Sequence, residues 1–202
     1  YANILNPYNP MSRKKLSEIT ALNLPIDMIA TSHGVIWREN PLQILEKYSQ
    51  WANDYQENQI TIIYDTMWNG TKLLAEKIAE GIKLADQDVV VKVYNVAKTD
   101  NNDLITEVFK SKTVVIGSPT MCNNILYSVA GFINLMKQLR FKGKKAAAFG
   151  CYGWSGESVK IINELMKNAG FEVSLDGFKN LWNPDADAQR EAVEFGKAIA
   201  KL

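Results

Sequence analysis

Gly150-Cys151-Tyr152-Gly153-Trp154-Ser155-Gly156 is the stretch that decides how this chain is read. It follows an apolar, strand-like run at residues 145–149 and precedes a segment with Val159, Ile162, Met166 and Ala169 on one helical stripe. A strand that ends in a glycine- and aromatic-rich loop, with a helix behind it, sets bare backbone and flat rings at the carboxyl edge of a parallel sheet. Open α/β folds bind ligands there. The arrangement recurs twice upstream. Residues 60–64 lead into Asp65-Thr66-Met67-Trp68-Asn69-Gly70-Thr71, and residues 113–117 into Ser118-Pro119-Thr120-Met121-Cys122-Asn123-Asn124. Three such loops together suggest one flavin site.

From Gln59 onward, strand-like and helix-like segments alternate with short connections, which predicts a doubly wound α/β fold with a five-stranded parallel sheet. The expected strands are residues 60–64, 89–95, 113–117, 145–149 and 171–175. The first four are mostly continuous β-branched or small apolar residues and read as buried, whereas the fifth alternates and reads as a half-exposed edge. Leu74, Ala75, Ile78, Ala79 and Ile82 form one helical stripe, and Val129, Phe132, Ile133 and Met136 another. Gly170 is placed to end, as a left-handed cap, a helix that begins near Ser155. A last helix is expected over residues 186–201.

Residues 1–58 stand outside that alternation and predict a separate, incomplete unit ahead of a domain at 59–202. Ser12 suits the start of a helix reaching Leu22, residues 28–30 a short buried strand, and Pro41 the start of a helix through Asp54. So few elements cannot easily bury their own apolar residues. Residues 55–58 are the expected hinge, and a start at Tyr1 without methionine suggests that sequence lies upstream.

The chain has 202 residues, 47% of them hydrophobic, and 23 basic against 22 acidic side chains for a net charge of +1. That balance gives no electrostatic footprint for nucleic acid or anionic lipid. No apolar run approaches the roughly 20 residues that cross a bilayer, and the first residues resemble no targeting peptide, so a cytoplasmic protein is expected. The two cysteines, Cys122 and Cys151, exclude a disulfide scaffold. Both fall in the strand-end loops, either as small reduced residues or as thiols that touch the cofactor.

In the first loop, hydroxyls at Thr66 and Thr71, the Asn69 amide, Gly70 and free N–H groups at a helix start make an anion cradle with no fixed positive charge. That suits a flavin's monoester phosphate, with Met67 and Trp68 lining the same loop. A tight turn with a helix cap and no ligand is the plainer alternative. Gly70-Thr71-Lys72 lacks the glycine and lysine spacing of a triphosphate loop, and Gly150, Gly153 and Gly156 lack that of a dinucleotide fingerprint. Ser118, Pro119, Thr120, Met121 and Asn123 offer backbone and amide groups to the edge of a heteroaromatic ring. Gly150, Cys151, Tyr152, Gly153, Trp154 and Gly156 offer backbone and stacking surfaces. A phosphoacceptor receiver domain is disfavoured because the third strand ends in Gly117-Ser118 rather than in an acidic residue.

Tyr64-Asp65-Thr66-Met67-Trp68, Gly117-Ser118-Pro119-Thr120-Met121, Val129-Ala130-Gly131-Phe132 and the 150–156 loop resemble the flavodiiron proteins, also called A-type flavoproteins, which include the flavorubredoxins. Tyr1-Ala2-Asn3-Ile4-Leu5 and Thr31-Ser32-His33-Gly34-Val35-Ile36-Trp37-Arg38 resemble the tail of that family's metallo-β-lactamase-like domain. The resemblance implies a flavodoxin-like sheet in the order 2-1-3-4-5 and FMN as an electron relay. It also implies, in the complete protein, a di-iron centre that reduces oxygen or nitric oxide. His33 takes the position of the last iron ligand in sequence, and the other ligands would precede Tyr1. An external donor such as rubredoxin or a reductase and a head-to-tail homodimer are implied as well. A stand-alone flavodoxin-type carrier or a flavin-dependent quinone reductase is the alternative. The chain departs from the family at Cys122 (usually asparagine), Tyr127 (often proline) and Cys151 (usually serine), and the first of these puts one hydrogen bond to the flavin in doubt.

Overall fold

The computed structural model describes residues 1–202 and divides them into two compact units, residues 1–55 and 56–202. In the smaller unit a 3-10 turn (Asn6–Tyr8) leads into α1 (Asn9–Ala21), and β1 (Ile29–Ala30) pairs antiparallel with β2 (Ile36–Trp37) ahead of α2 (Leu42–Trp51). The sequence predicts only the first of those two strands, and predicts it buried over residues 28–30, whereas Met28 and Ala30 are exposed and Ile29 is half-buried. β2 is two residues long and half exposed, too short to show a period. Tyr1, Tyr48 and Trp51 form an aromatic cluster with ring centroids 5.2 to 5.7 Å apart. No residue of α2 is buried, and Ile19, Leu22, Leu24 and Leu42 remain exposed, as expected of so few elements.

The larger unit runs β3 (Glu57–Tyr64), α3 (Gly70–Ala85), β4 (Val90–Asn95), α4 (Asn101–Lys110), β5 (Ser111–Gly117), α5 (Tyr127–Leu139), β6 (Lys145–Tyr152), α6 (Ser158–Asn168), β7 (Glu172–Val173), β8 (Phe178–Leu181) and α7 (Ala186–Ala200). Its sheet has the order β4-β3-β5-β6-β7, with β8 also on β6, and every pairing is parallel. This is the flavodoxin-like order, with the fifth strand split in two. β7 pairs with Lys145 and Ala146, and β8 with Phe149 through Tyr152. Between them Gly177 turns the chain at φ +95°, where an added Cβ would lie 2.5 Å from Val159 Cγ1, so a continuous strand over residues 171–175 is replaced by two pieces.

Burial corrects a second expectation. β4 has only β3 beside it, and Val90 and Val93 are exposed. A β-branched run suits an open edge as well as a sheet centre, so its composition does not reveal its place. The central strands are buried throughout their apolar residues. Ile60, Ile62, Val115, Ala147 and Phe149 pack with Leu74, Ala75, Ile78 and Ile82 of α3 and with Ala192 and Ile199 of α7. α3 and α7 lie close because Gly81 and Gly196 face each other; a Cβ on Gly81 would meet Val193 O at 2.0 Å. No helix is long and apolar enough to cross a membrane.

Register fixes where the loops emerge. Tyr64 pairs with Gly117 and Gly117 with Phe149, so β3, β5 and β6 end side by side. Hydrogen bonds from Asp65 N to Gly117 O (3.1 Å), Ser118 N to Phe149 O (3.2 Å), Thr120 N to Cys151 O (2.9 Å) and Trp182 N to Tyr152 O (2.7 Å) carry that alignment into the loops.

Candidate functional site

The first loop ends in a helix start that nothing caps. Asn69, the residue ahead of α3, is left-handed at φ +64°, and its side chain makes no capping bond. Helical bonding begins with Leu73 N to Asn69 O at 3.0 Å, which leaves the N–H groups of the first turn to an outside acceptor. Thr66 Oγ1 and Thr71 Oγ1 are both buried without a hydrogen-bond partner. Unpaired buried hydroxyls are costly and rare in native proteins. Here they stand beside a helix dipole's positive end, an arrangement that selects an anion. Asp65 steadies the loop, accepting from Thr66 N at 2.8 Å and from Ser128 Oγ at 2.5 Å.

The second loop divides into a wall and a support. Pro119 and Thr120 line the cleft, and Thr120 Oγ1 accepts from Ser158 N at 3.2 Å. Ser118 is fully buried, donating to Pro119 O and accepting from Leu126 N, so its hydroxyl is spent on holding the loop. Met121 to Asn124 form a reverse turn with paired backbone bonds of 2.9 Å, Cys122 and Asn123 both being left-handed at φ +50° and +56°. That turn demands residues tolerant of positive φ, which asparagine meets better than cysteine. Met121, Cys122 and Asn123 are exposed and lie outside the cleft lining.

The third loop supplies Cys151, Tyr152 and Gly153 to the cleft. Gly150 supports it from below, since a Cβ there would come within 2.1 Å of Ser118 O and drive the second and third loops apart. Gly156, at φ +77°, backs onto the Tyr152 ring. Trp154 is 94% exposed and lies outside the cleft lining. Burial pushes the Cys151 thiol up to about 11, while the nearby Thr71 hydroxyl draws it the other way without forming a hydrogen bond of normal geometry. The group is therefore a neutral thiol at ordinary pH and not a nucleophile.

Together these loops enclose a cleft of about 580 Å³, within the range of small-molecule sites. Its lining brings together Thr66, Met67, Trp68, Gly70, Thr71, Pro119, Thr120, Cys151, Tyr152 and Gly153, and contains no basic residue. Asn69 borders a shallower cleft next to it. Trp182 and Asn183, from the β8–α7 connection, also line the main cleft and escape the sequence reading. The signal that could have found them is the unpaired aromatic-amide-proline run after a strand, which is legible only once residues 178–181 are known to be a strand at the same edge. His33 belongs to the smaller unit, exposed between β1 and β2, and no group of three or more His, Cys, Asp or Glu stands ready to hold a metal.

Comparison with known proteins agrees with this geometry. The anaerobic nitric oxide reductase flavorubredoxin of Vibrio vulnificus is 50% identical over 202 residues, which cover all of this chain and 41% of that protein. The rubredoxin oxygen:oxidoreductase of Desulfovibrio gigas superposes with a TM-score of 0.92 at 32% identity, covering 100% of this chain and 50% of that one. The flavodiiron protein of Giardia intestinalis gives a TM-score of 0.91 at 27% identity over 99% of this chain and 49% of that one. The chain thus spans half or less of these relatives. The profile of the flavodoxin family matches residues 62–196. The chain belongs to the flavodoxin family.

Proposed function

We propose that this chain is the FMN-binding, electron-relay portion of a flavodiiron oxidoreductase that reduces nitric oxide or oxygen. One observation carries the cofactor assignment. Two buried hydroxyls without partners, on Thr66 and Thr71, flank an uncapped helix start in a cleft without cations. A phosphate monoester satisfies such groups, and a flavin ring matches the flat, aromatic remainder of the cleft.

When bound, FMN supplies one- and two-electron chemistry that no side chain here can provide. The chain's own part is to hold and shield it. Thr66, Thr71 and the N–H groups of Gly70 and its neighbours donate to the phosphate, with Asn69 setting the entry of the helix by its left-handed backbone. Met67, Trp68, Pro119, Thr120, Tyr152 and Gly153 exclude water from the ring. Ser118, Gly150 and Gly156 act through the backbone by holding the loops in register. Met121, Asn123 and Trp154 would meet the ring's rim from outside the cleft.

Residues 1–55 fit the end of a metallo-β-lactamase-like domain, with His33 as one iron ligand in the complete protein. His33 alone cannot hold two irons. An external donor such as rubredoxin or a reductase, and a head-to-tail homodimer that brings one subunit's flavin to its neighbour's irons, complete the proposal.

The test has two stages. The purified chain should bind one FMN and turn yellow. The complete protein, chemically reduced, should then consume nitric oxide or oxygen within a few turnovers' time. A flavin-loaded protein that, once reduced and bleached, is reoxidised by neither gas faster than free reduced FMN would identify a simple carrier instead.

A further inference from the structure

The turn between β8 and α7 carries two residues whose positions neither the sheet nor the core explains. Trp182 is left-handed at φ +58°, a strained conformation for a bulky aromatic residue. Its backbone is pinned by Trp182 N donating to Tyr152 O at 2.7 Å and by Asn180 Nδ2 donating to Trp182 O at 2.9 Å. Yet the side chain is 68% exposed, so burial of the indole does not offset the strain. The six-membered part of its ring lies over Gly153, where a built Cβ would be 3.0 Å from Cζ3.

Asn183 faces the opposite end of the cleft. Its Oδ1 stands 3.1 Å from the place a Cβ on Gly70 would occupy, at the first residue of α3. The amide makes no hydrogen bond within the protein and lines both the main cleft and the shallower one beside the cradle. Half a turn about its last torsion exchanges oxygen for NH₂, which adds a neutral donor to a main cleft whose lining holds no cation, Lys72 bordering only the second cleft beside it. A single dipeptide therefore touches both the ring-side loop and the phosphate-side loop.

We propose that Trp182 and Asn183 form a fourth wall of the flavin site, Trp182 as a stacking surface for the ring system and Asn183 as an amide donor to the phosphate. The inference rests on the FMN reading above. It assigns the strain at residue 182 to ligand binding, where strained backbone commonly serves a site.

Riboflavin, which lacks the phosphate, separates the two roles. Dissociation constants of FMN and riboflavin should be measured by flavin fluorescence quenching for the unaltered chain and for N183A, N183D and W182N, together with the melting temperature of each apo-protein. N183A should weaken FMN about tenfold, as loss of one hydrogen bond to a charged group does, and leave riboflavin within about twofold. N183D should weaken FMN further, about a hundredfold, by setting like charge against the phosphate. W182N should weaken both flavins about tenfold through lost stacking. It should leave the apo-protein at least as stable, because asparagine tolerates the left-handed backbone.

Equal effects of N183A and N183D on both flavins, or none on either, would overturn the role of Asn183. A W182N protein that melts earlier yet keeps both affinities would reduce Trp182 to packing. An unaltered chain that binds neither flavin would overturn the FMN reading, and this inference with it.

Discussion

At the amino ends of β3 and β5, Thr61 Oγ1 and Ser111 Oγ lie 2.7 Å apart, Gln59 Nε2 donates to both and to Glu107 Oε2 at 2.9 Å, and Ser111 Oγ lies within 2.7 Å of Glu107 O. Beyond the carboxyl end of β3, Thr66 and Thr71 carry the same kind of hydroxyl, its oxygen buried and making no hydrogen bond of normal geometry, although the Thr71 hydroxyl stands near the Cys151 thiol. The first network is closed within the protein and fixes the packing of α4 on the sheet. The second lines the cleft. Thr113 Oγ1, within β5, also lacks a partner but does not line the cleft. An unsatisfied buried group thus points to a ligand only where it meets a cavity.

Substitutions at the two ends should separate affinity from stability. The largest effect is expected at the open end. Thr71→Val should weaken FMN about fiftyfold by deleting a donor to a charged group, and should leave the apo-protein unharmed or stabilised by up to about 1 kcal/mol. Titration calorimetry beside thermal melting checks both halves. At the closed end Ser111→Ala should cost about 2 kcal/mol in urea unfolding, because Gln59 and Thr61 lose partners, while FMN affinity changes less than about twofold.

Cys151 tests the open end by pH. Its folded pKa is raised by burial, so its contribution is complete below pH 9, the thiol's ordinary value, and is lost as pH rises towards about 11. Over that window the apo-protein should lose about 2 kcal/mol through this group, and Cys151→Ser should remove that part of the alkaline loss. The smallest effect belongs to the exposed pair Lys72–Glu76, 3.8 Å apart beside the cradle, where Glu76→Gln should change stability by less than about 0.5 kcal/mol.

Much of this molecule is legible in its residues. The central strands announce themselves by continuous apolar runs, and three of the four loops that build the cleft by glycine and aromatic residues after a strand. Two things were hidden. Val90 and Val93 look like core until the sheet shows that β4 has one neighbour. The break at Gly177 hides β8 and so the Trp182-Asn183 turn behind it. Pairing between distant strands decides both, and no local pattern carries that information. Ser118, Gly150 and Gly156 illustrate a further limit, because residues of cofactor-loop type turn out to support the loops rather than face the cleft.

In the proposed function the hydroxyls of Thr66 and Thr71 donate to the phosphate monoester of FMN. Titration of the apo-protein with FMN and with riboflavin, followed by quenching of flavin fluorescence, tests it directly. One FMN per chain is expected, bound at least about a hundredfold more tightly than riboflavin, as two or more hydrogen bonds to a charged group require. Equal affinity for the two, or no quenching by either, would contradict it.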